Sequence, residues 1–188
     1  MANKTTVALT KEQYIEIITA MKTGGMGFRP NERVATALML EANLGMRISD
    51  ILALTPKSII RDGNRYRLNI TEKKTKKKRL FTVPNEIFAF IKEYCKKYQL
   101  QSDDRLFPFT ERNVQKYLEK VAYYLDYENI GTHSFRKMFA SEIYRKTNNL
   151  ILVQRLLNHS SPTVSERYLG IGDHILEQTI ADHVYLIQ

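Results

Sequence analysis

A single cysteine, Cys95, excludes a disulfide framework and any zinc site built on cysteine. It sits in Ile91-Lys92-Glu93-Tyr94-Cys95, an amphipathic helical pattern in which it reads as a small core residue. The four histidines lack metal-ligand spacing, so no metal is expected. No run approaches the roughly 18 apolar residues of a membrane span, and Met1 to Thr10 lacks the apolar core of a signal peptide. A soluble cytoplasmic protein is expected. Acidic residues are also short, with 20 Asp+Glu against 29 Lys+Arg and a net charge of +9. That excess favours a polyanionic partner, nucleic acid first and an acidic membrane surface second. A basic but otherwise ordinary globular protein is the plain alternative.

What is present is enough for a core: 43% of residues are hydrophobic and 10% aromatic, well above the disordered class. Length alone leaves one large or two small domains open. Thr10 is an N-cap for a helix with Ile15, Ile18 and Met21 at helical spacing, broken by Thr23-Gly24-Gly25-Met26-Gly27. A second helix spans about Glu32 to Asn43, and a third Met46 to Leu54, with Ile48, Ile51 and Leu52 on one face. Pro56 ends it and the period changes. Ser58–Arg61, Tyr66–Ile70 and Arg79–Val83 read as strands, the first two joined through Asp62-Gly63-Asn64. After Pro84 come helices over Asn85–Tyr98, Thr110–Tyr124, His133 to about Arg145, Leu150–Leu157 and a Ser161-Pro162-capped helix through Leu169. Gly170-Ile171-Gly172 is a joint before an amphipathic helix from His174 to Ile187. The fold class is α+β, mostly helical, with a small three-stranded antiparallel sheet near residues 58–83.

Between the second and third strands lies Thr71-Glu72-Lys73-Lys74-Thr75-Lys76-Lys77-Lys78-Arg79. A tip this basic is either a solvated hairpin end or a strip laid along a phosphate backbone. Downstream, His133, Arg136, His159 and Tyr168 fall in order within 36 residues. His133 and Arg136, three apart on a helix, share a face and can address one group together. Histidine, arginine and tyrosine converging on one point suit a tetrahedral anion, and a phosphodiester is the obvious one. Each piece has a plainer reading: Arg47 with Asp50 as a local ion pair, His133 at a helix start, His159 at a C-cap, Tyr168 as one of eleven tyrosines.

The ordered pattern resembles the catalytic domain of the tyrosine recombinases, the phage integrase family, over about Leu9 to Leu169. The first arginine box is similar to Gly45-Met46-Arg47-Ile48-Ser49-Asp50-Ile51-Leu52, and the His-x-x-Arg box to His133-Ser134-Phe135-Arg136. The Leu-x-His-Ser-Ser box is similar to Leu157-Asn158-His159-Ser160-Ser161, with Asn158 where glycine is commoner. The nucleophile box is similar to Arg167-Tyr168, nine residues after His159.

The resemblance implies site-specific DNA recombination through a 3′-phosphotyrosyl intermediate, with catalytic residues Arg47, Lys74, His133, Arg136, His159 and Tyr168. Arg47 and Arg136 would clamp the phosphate, His133 would take the tyrosine proton, and His159 would donate to a phosphate oxygen. A turn lysine would protonate the leaving 5′-oxygen; Lys74 is preferred, with Lys73 and Lys76 open. Asp50 would support Arg47 and its helix. Lys73, Lys76, Lys77, Lys78 and Arg79 are candidate DNA contacts. No cofactor or metal is implied. The implied partner is double-stranded DNA with inverted half-sites, bound by a homo-tetramer of two dimers that is monomeric free in solution, in a prokaryotic or phage setting. Residues 1–9 would be an N-terminal extension, 10–172 the catalytic domain and 173–188 a helix docking on a neighbour or on its own domain. The N-terminal helical domain of most members has no counterpart, which implies a catalytic-domain fragment or a short stand-alone member. Two other readings stay open: a type IB topoisomerase-like nicking-resealing enzyme, and a non-catalytic DNA-binding accessory on the same fold.

Overall fold

Thr10 starts the first helix as its hydroxyl predicts. Its Oγ1 accepts the Gln13 N–H at 3.2 Å, and Gln13 Oε1 accepts the Thr10 N–H at 3.0 Å, so two donors at the helix start are satisfied reciprocally. The computed structural model describes residues 6–171. Its elements are α1 (Lys11–Thr23), α2 (Glu32–Leu44), α3 (Ile48–Ile51), β1 (Ile59–Asp62), β2 (Arg65–Thr71), β3 (Lys78–Val83), α4 (Asn85–Lys97), α5 (Glu111–Tyr124), α6 (Thr132–Thr147), α7 (Leu150–Leu157) and α8 (Pro162–Leu169). The chain divides into two compact units, residues 1–139 and 140–188.

The first unit holds one apolar cluster. Ile17, Ile18 and Met21 of α1, Val34, Ala35 and Leu38 of α2, and Val114, Leu118 and Val121 of α5 meet there. A large aliphatic side chain fully buried there, such as Ile17 or Leu38, contributes about 1.5–3 kcal/mol, an upper bound because the unfolded chain is already partly collapsed. The sheet is antiparallel in the order β1-β2-β3. Its register sets Ile59 opposite Leu68 and Leu68 opposite Phe81, which puts these three on the core face. Tyr66 stacks on Phe88 of α4 with ring centroids 3.5 Å apart. Cys95 is half-buried against the same core, as expected.

Two expectations change. The helix read from Met46 to Leu54 is the single turn Ile48–Ile51, with Arg47 extended before it at φ −73° and ψ 146°. Pro56 opens a 3-10 turn, Pro56–Ser58, and the residue before it, Thr55, is held extended as a residue preceding proline must be. The second change is at the sheet. Thr71 pairs with Lys78, so β2 and β3 run further toward the lysines and the basic turn is only residues 72–77.

In the second unit, Asn149 Oδ1 accepts the Leu152 N–H at 2.9 Å to start α7. Ser161 Oγ accepts the Val164 N–H at 3.4 Å to start α8, whose Pro162 occupies the first helical position. Among the described residues no helix is long and apolar enough to cross a membrane. The apolar helix expected over His174–Ile187 lies outside the described residues.

Candidate active site

The first arginine box begins where α2 ends. Gly45 takes the left-handed conformation, φ +56° and ψ 29°, and its N–H closes on Glu41 O at 3.0 Å. A Cβ there would lie 2.3 Å from the Phe139 ring. Glycine is therefore needed twice, for φ and for space. Its carbonyl accepts Arg136 Nη1 at 2.6 Å, and Arg136 is almost fully buried in the first turns of α6. Glu41, wholly buried nearby, has its carboxyl pushed well above the usual range by burial, with the Arg136 guanidinium opposing that rise.

Arg47 is fixed from the hairpin. Its Nη1 donates to Glu72 Oε2 at 2.7 Å, with the arginine side chain 16% exposed and the glutamate side chain 0%. The Thr75 hydroxyl donates to the same oxygen at 2.7 Å. Asp50, expected to support Arg47, instead accepts the Lys73 backbone N–H at 2.9 Å on Oδ1. The reason is local. Arg47 precedes α3 with extended backbone, so the three-residue helical spacing to Asp50 does not apply. The hairpin carrying the lysines is thus joined to the α3 segment through two carboxylates.

His133 lies in the first turn of α6 and is exposed to solvent. Its pKa is lowered, first by desolvation, then by the charges of Arg136, Lys74, Arg47 and Lys137. A neutral imidazole results at neutral pH, able to accept a proton. Among those charges the turn lysine is Lys74. Lys73, Lys74, Lys76, Lys77 and Lys78 are all exposed, and Arg79 stands on β3 opposite Ile70.

In the second unit, α7 ends at Asn158 in the left-handed conformation, φ 55° and ψ 40°, which explains asparagine where glycine is the commoner choice. Asn158, not His159, is the C-cap. The next residue, His159, sets Nδ1 3.0 Å from the Ser165 hydroxyl, and Ser165 is fully buried. That contact fixes the ring's orientation and leaves Nε2 as its other functional nitrogen. The His159 and Tyr168 rings meet edge to face at 5.2 Å. Ser165 and Tyr168, three apart on α8, share a face.

The structure thus brings Arg47, Lys74, His133 and Arg136 into one electrostatic neighbourhood of the first unit, and His159 with Tyr168 in the second. Glu72, Glu41 and Ser165 were not singled out by sequence. Glu72 had a signal, being the lone acid in a run of cations, and Ser165 another, being one turn before Tyr168. Glu41 had none. Among the described residues, no three His, Cys, Asp or Glu side chains are grouped to hold a metal ion.

The profile of the phage integrase family matches residues 8–173. The probable integrase/recombinase YoeC of Bacillus subtilis strain 168 is 35% identical over 150 residues, which cover 76% of this chain and 80% of that protein. Tyrosine recombinase XerH of Helicobacter pylori is 25% identical over 186 residues, covering 94% of this chain and 51% of XerH. Among solved structures, XerH bound to palindromic difH substrate in a post-cleavage complex superposes with a TM-score of 0.69 at 24% identity, over 95% of this chain and 54% of that one. The catalytic domain of bacteriophage HP1 integrase gives 0.65 at 19% identity, over 95% of both chains. The chain thus spans about half the length of XerH and nearly all of the HP1 catalytic domain. At these identities the structural likeness establishes the fold.

Proposed function

The chain belongs to the phage integrase family, that of the tyrosine site-specific recombinases, and from that premise we propose that it cleaves and rejoins DNA at specific sites through a 3′-phosphotyrosyl intermediate. One observation carries the reading: the charges of Arg136, Lys74 and Arg47 all act on His133, whose pKa is lowered first by desolvation and then by them, so a proton acceptor stands among cations that attract an anion. The chemistry explains why both are wanted together. A phenol with a pKa of about 10 is a poor nucleophile at neutral pH, and a nearby base and cations lower that barrier.

In this reading Tyr168 Oη attacks the scissile phosphorus and its proton passes to His133. Arg47 and Arg136 hold the non-bridging oxygens and stabilise charge on the pentacoordinate phosphorus, a task that suits forked guanidiniums better than lysine. His159, oriented through Ser165, donates to a phosphate oxygen. Lys74 protonates the departing 5′-oxygen as the P–O5′ bond breaks. The phosphotyrosyl bond conserves the energy for rejoining, so no nucleotide is consumed. Asp50 supports the site by anchoring the turn at Lys73. Lys73, Lys76, Lys77, Lys78 and Arg79 add backbone contacts that hold DNA without reading its sequence. The assembly that fits this chemistry is two dimers on paired inverted half-sites, exchanging strands in turn.

The test is adduct formation. Nicked duplexes tiled across the DNA flanking the chain's own gene are incubated with the 188-residue protein and with its Tyr168→Phe variant, then run on a denaturing gel. A covalent adduct lost in the variant is the expected outcome, and it maps the scissile position. Binding without adduct on any duplex would move the chain to the accessory reading. Relaxation of supercoiled DNA with no exchange between partners would move it to the topoisomerase-like one.

A further inference from the structure

The basic turn contains one acid, Glu72, and it is the one residue of residues 72–78 that is fully buried. A carboxylate is kept out of water only where it is paired and hydrogen-bonded. Two of its side-chain hydrogen bonds serve the proposed site. Oε2 receives Arg47 Nη1 and the Thr75 hydroxyl, each at 2.7 Å. The backbone of the same residue closes the turn: its N–H donates to Lys77 O at 3.0 Å, and its carbonyl accepts the Lys76 N–H at 3.0 Å. Lys76 is left-handed there, φ +58°. On the other side of Lys74, the Lys73 N–H is held by Asp50. Lys74 is exposed and makes none of these bonds itself, yet both of its neighbours are pinned.

We infer that Glu72 is a positioning residue that couples the Lys74 turn to Arg47, so that the proton donor and the phosphate clamp keep a fixed register. This rests on the reading of Lys74 as the group that protonates the leaving oxygen. The balance of that step is simple: the Tyr168 O–P bond forms, the P–O5′ bond breaks, and the proton travels from the Lys74 ammonium to O5′. Glu72 touches neither DNA nor proton. Its carboxylate holds Thr75, beside the lysine, and Arg47 on one oxygen.

A purely structural pin and a positioning residue differ in one readout. If sulfur replaces the bridging 5′-oxygen at the mapped scissile phosphate, the leaving thiolate, with a pKa of about 8.5 in a simple thiol, needs no proton donor. Cleavage by wild type, Glu72→Gln, Lys74→Ala and Thr75→Val is therefore compared on the oxygen and sulfur duplexes, with thermal melts to confirm folding. Lys74→Ala should lose about 10²-fold or more on oxygen and almost nothing on sulfur. Glu72→Gln should lose about tenfold or more on oxygen and recover most of that loss on sulfur. Thr75→Val, which removes only the turn's hydroxyl, should show the same pattern at roughly threefold. Equal loss by Glu72→Gln on both duplexes overturns the inference and leaves Lys74 as donor. If Glu72→Gln fails to fold, Thr75→Val decides, and full activity there overturns the inference. No sulfur recovery for Lys74→Ala overturns the donor reading and the inference with it.

Discussion

The backbone carbonyl of Gly45 accepts Arg136 Nη1 at 2.6 Å, so the end of α2 sets the position of an arginine from α6. The same glycine is left-handed and would place a Cβ 2.3 Å from the Phe139 ring. Gly45→Ala should cost roughly 2–5 kcal/mol, from about 1–2 for the left-handed conformation and about 1–3 for overpacking. It should also slow cleavage beyond what the lost stability explains, because Arg136 loses its register. Urea unfolding alongside single-turnover cleavage checks both; an unchanged unfolding midpoint would refute the packing argument.

His133 carries a prediction about pH. Its folded pKa lies below the ordinary value of about 6.5, through desolvation and then the charges of Arg136, Lys74 and Arg47. A base must be neutral to act, so single-turnover cleavage should stay level as pH falls to about 6.5 and decline only below it. His133→Gln should slow cleavage by about 10²-fold and erase that acid limb. A decline that begins above the ordinary histidine value would mean the cations do not act on this ring.

Ser165 has no chemistry of its own in the proposed reaction, but its buried hydroxyl is 3.0 Å from His159 Nδ1. Ser165→Ala should reduce cleavage about 3- to 10-fold, the value of one hydrogen bond that holds a ring in place. Ser165→Thr, which keeps the hydroxyl, should restore most of it. Loss in both variants with unchanged melting would show that the site needs serine's size and not its bond.

Much of this was legible because the signals are local. Thr10, Asn149 and Ser161 cap helices through their own side chains, and the alternation in β2 fixes which face meets the core. The catalytic candidates were legible through type and interval along the chain. What sequence hid was pairing across it. Arg47 and Asp50 look like partners at helical spacing, yet the one-turn α3 starts only after Arg47, and each finds its partner in the hairpin instead. Glu72 looks like part of a solvated tip and is buried, because a distant arginine balances its charge. Tertiary partners of this kind leave no periodic mark.

Glu41 gives the last prediction, and its sign follows from burial. Its carboxyl is wholly buried and its folded pKa is raised well above the usual range, with Arg136 offsetting part of that rise. A raised carboxyl pKa means the folded state holds a proton that the unfolded state has released. The penalty is absent below the unfolded value of about 4.3 and grows as pH rises from there toward the folded value, so stability is lost with rising pH. Glu41→Gln removes the titration while keeping the shape. Its Tm should match wild type near about pH 4 and exceed it increasingly toward about pH 8. The gain there should reflect about 1–3 kcal/mol, or roughly 2–4 °C for each kcal/mol in a chain of this size. A Glu41→Gln variant less stable than wild type at high pH would mean that the carboxylate is ionised and needed as Arg136's counter-ion.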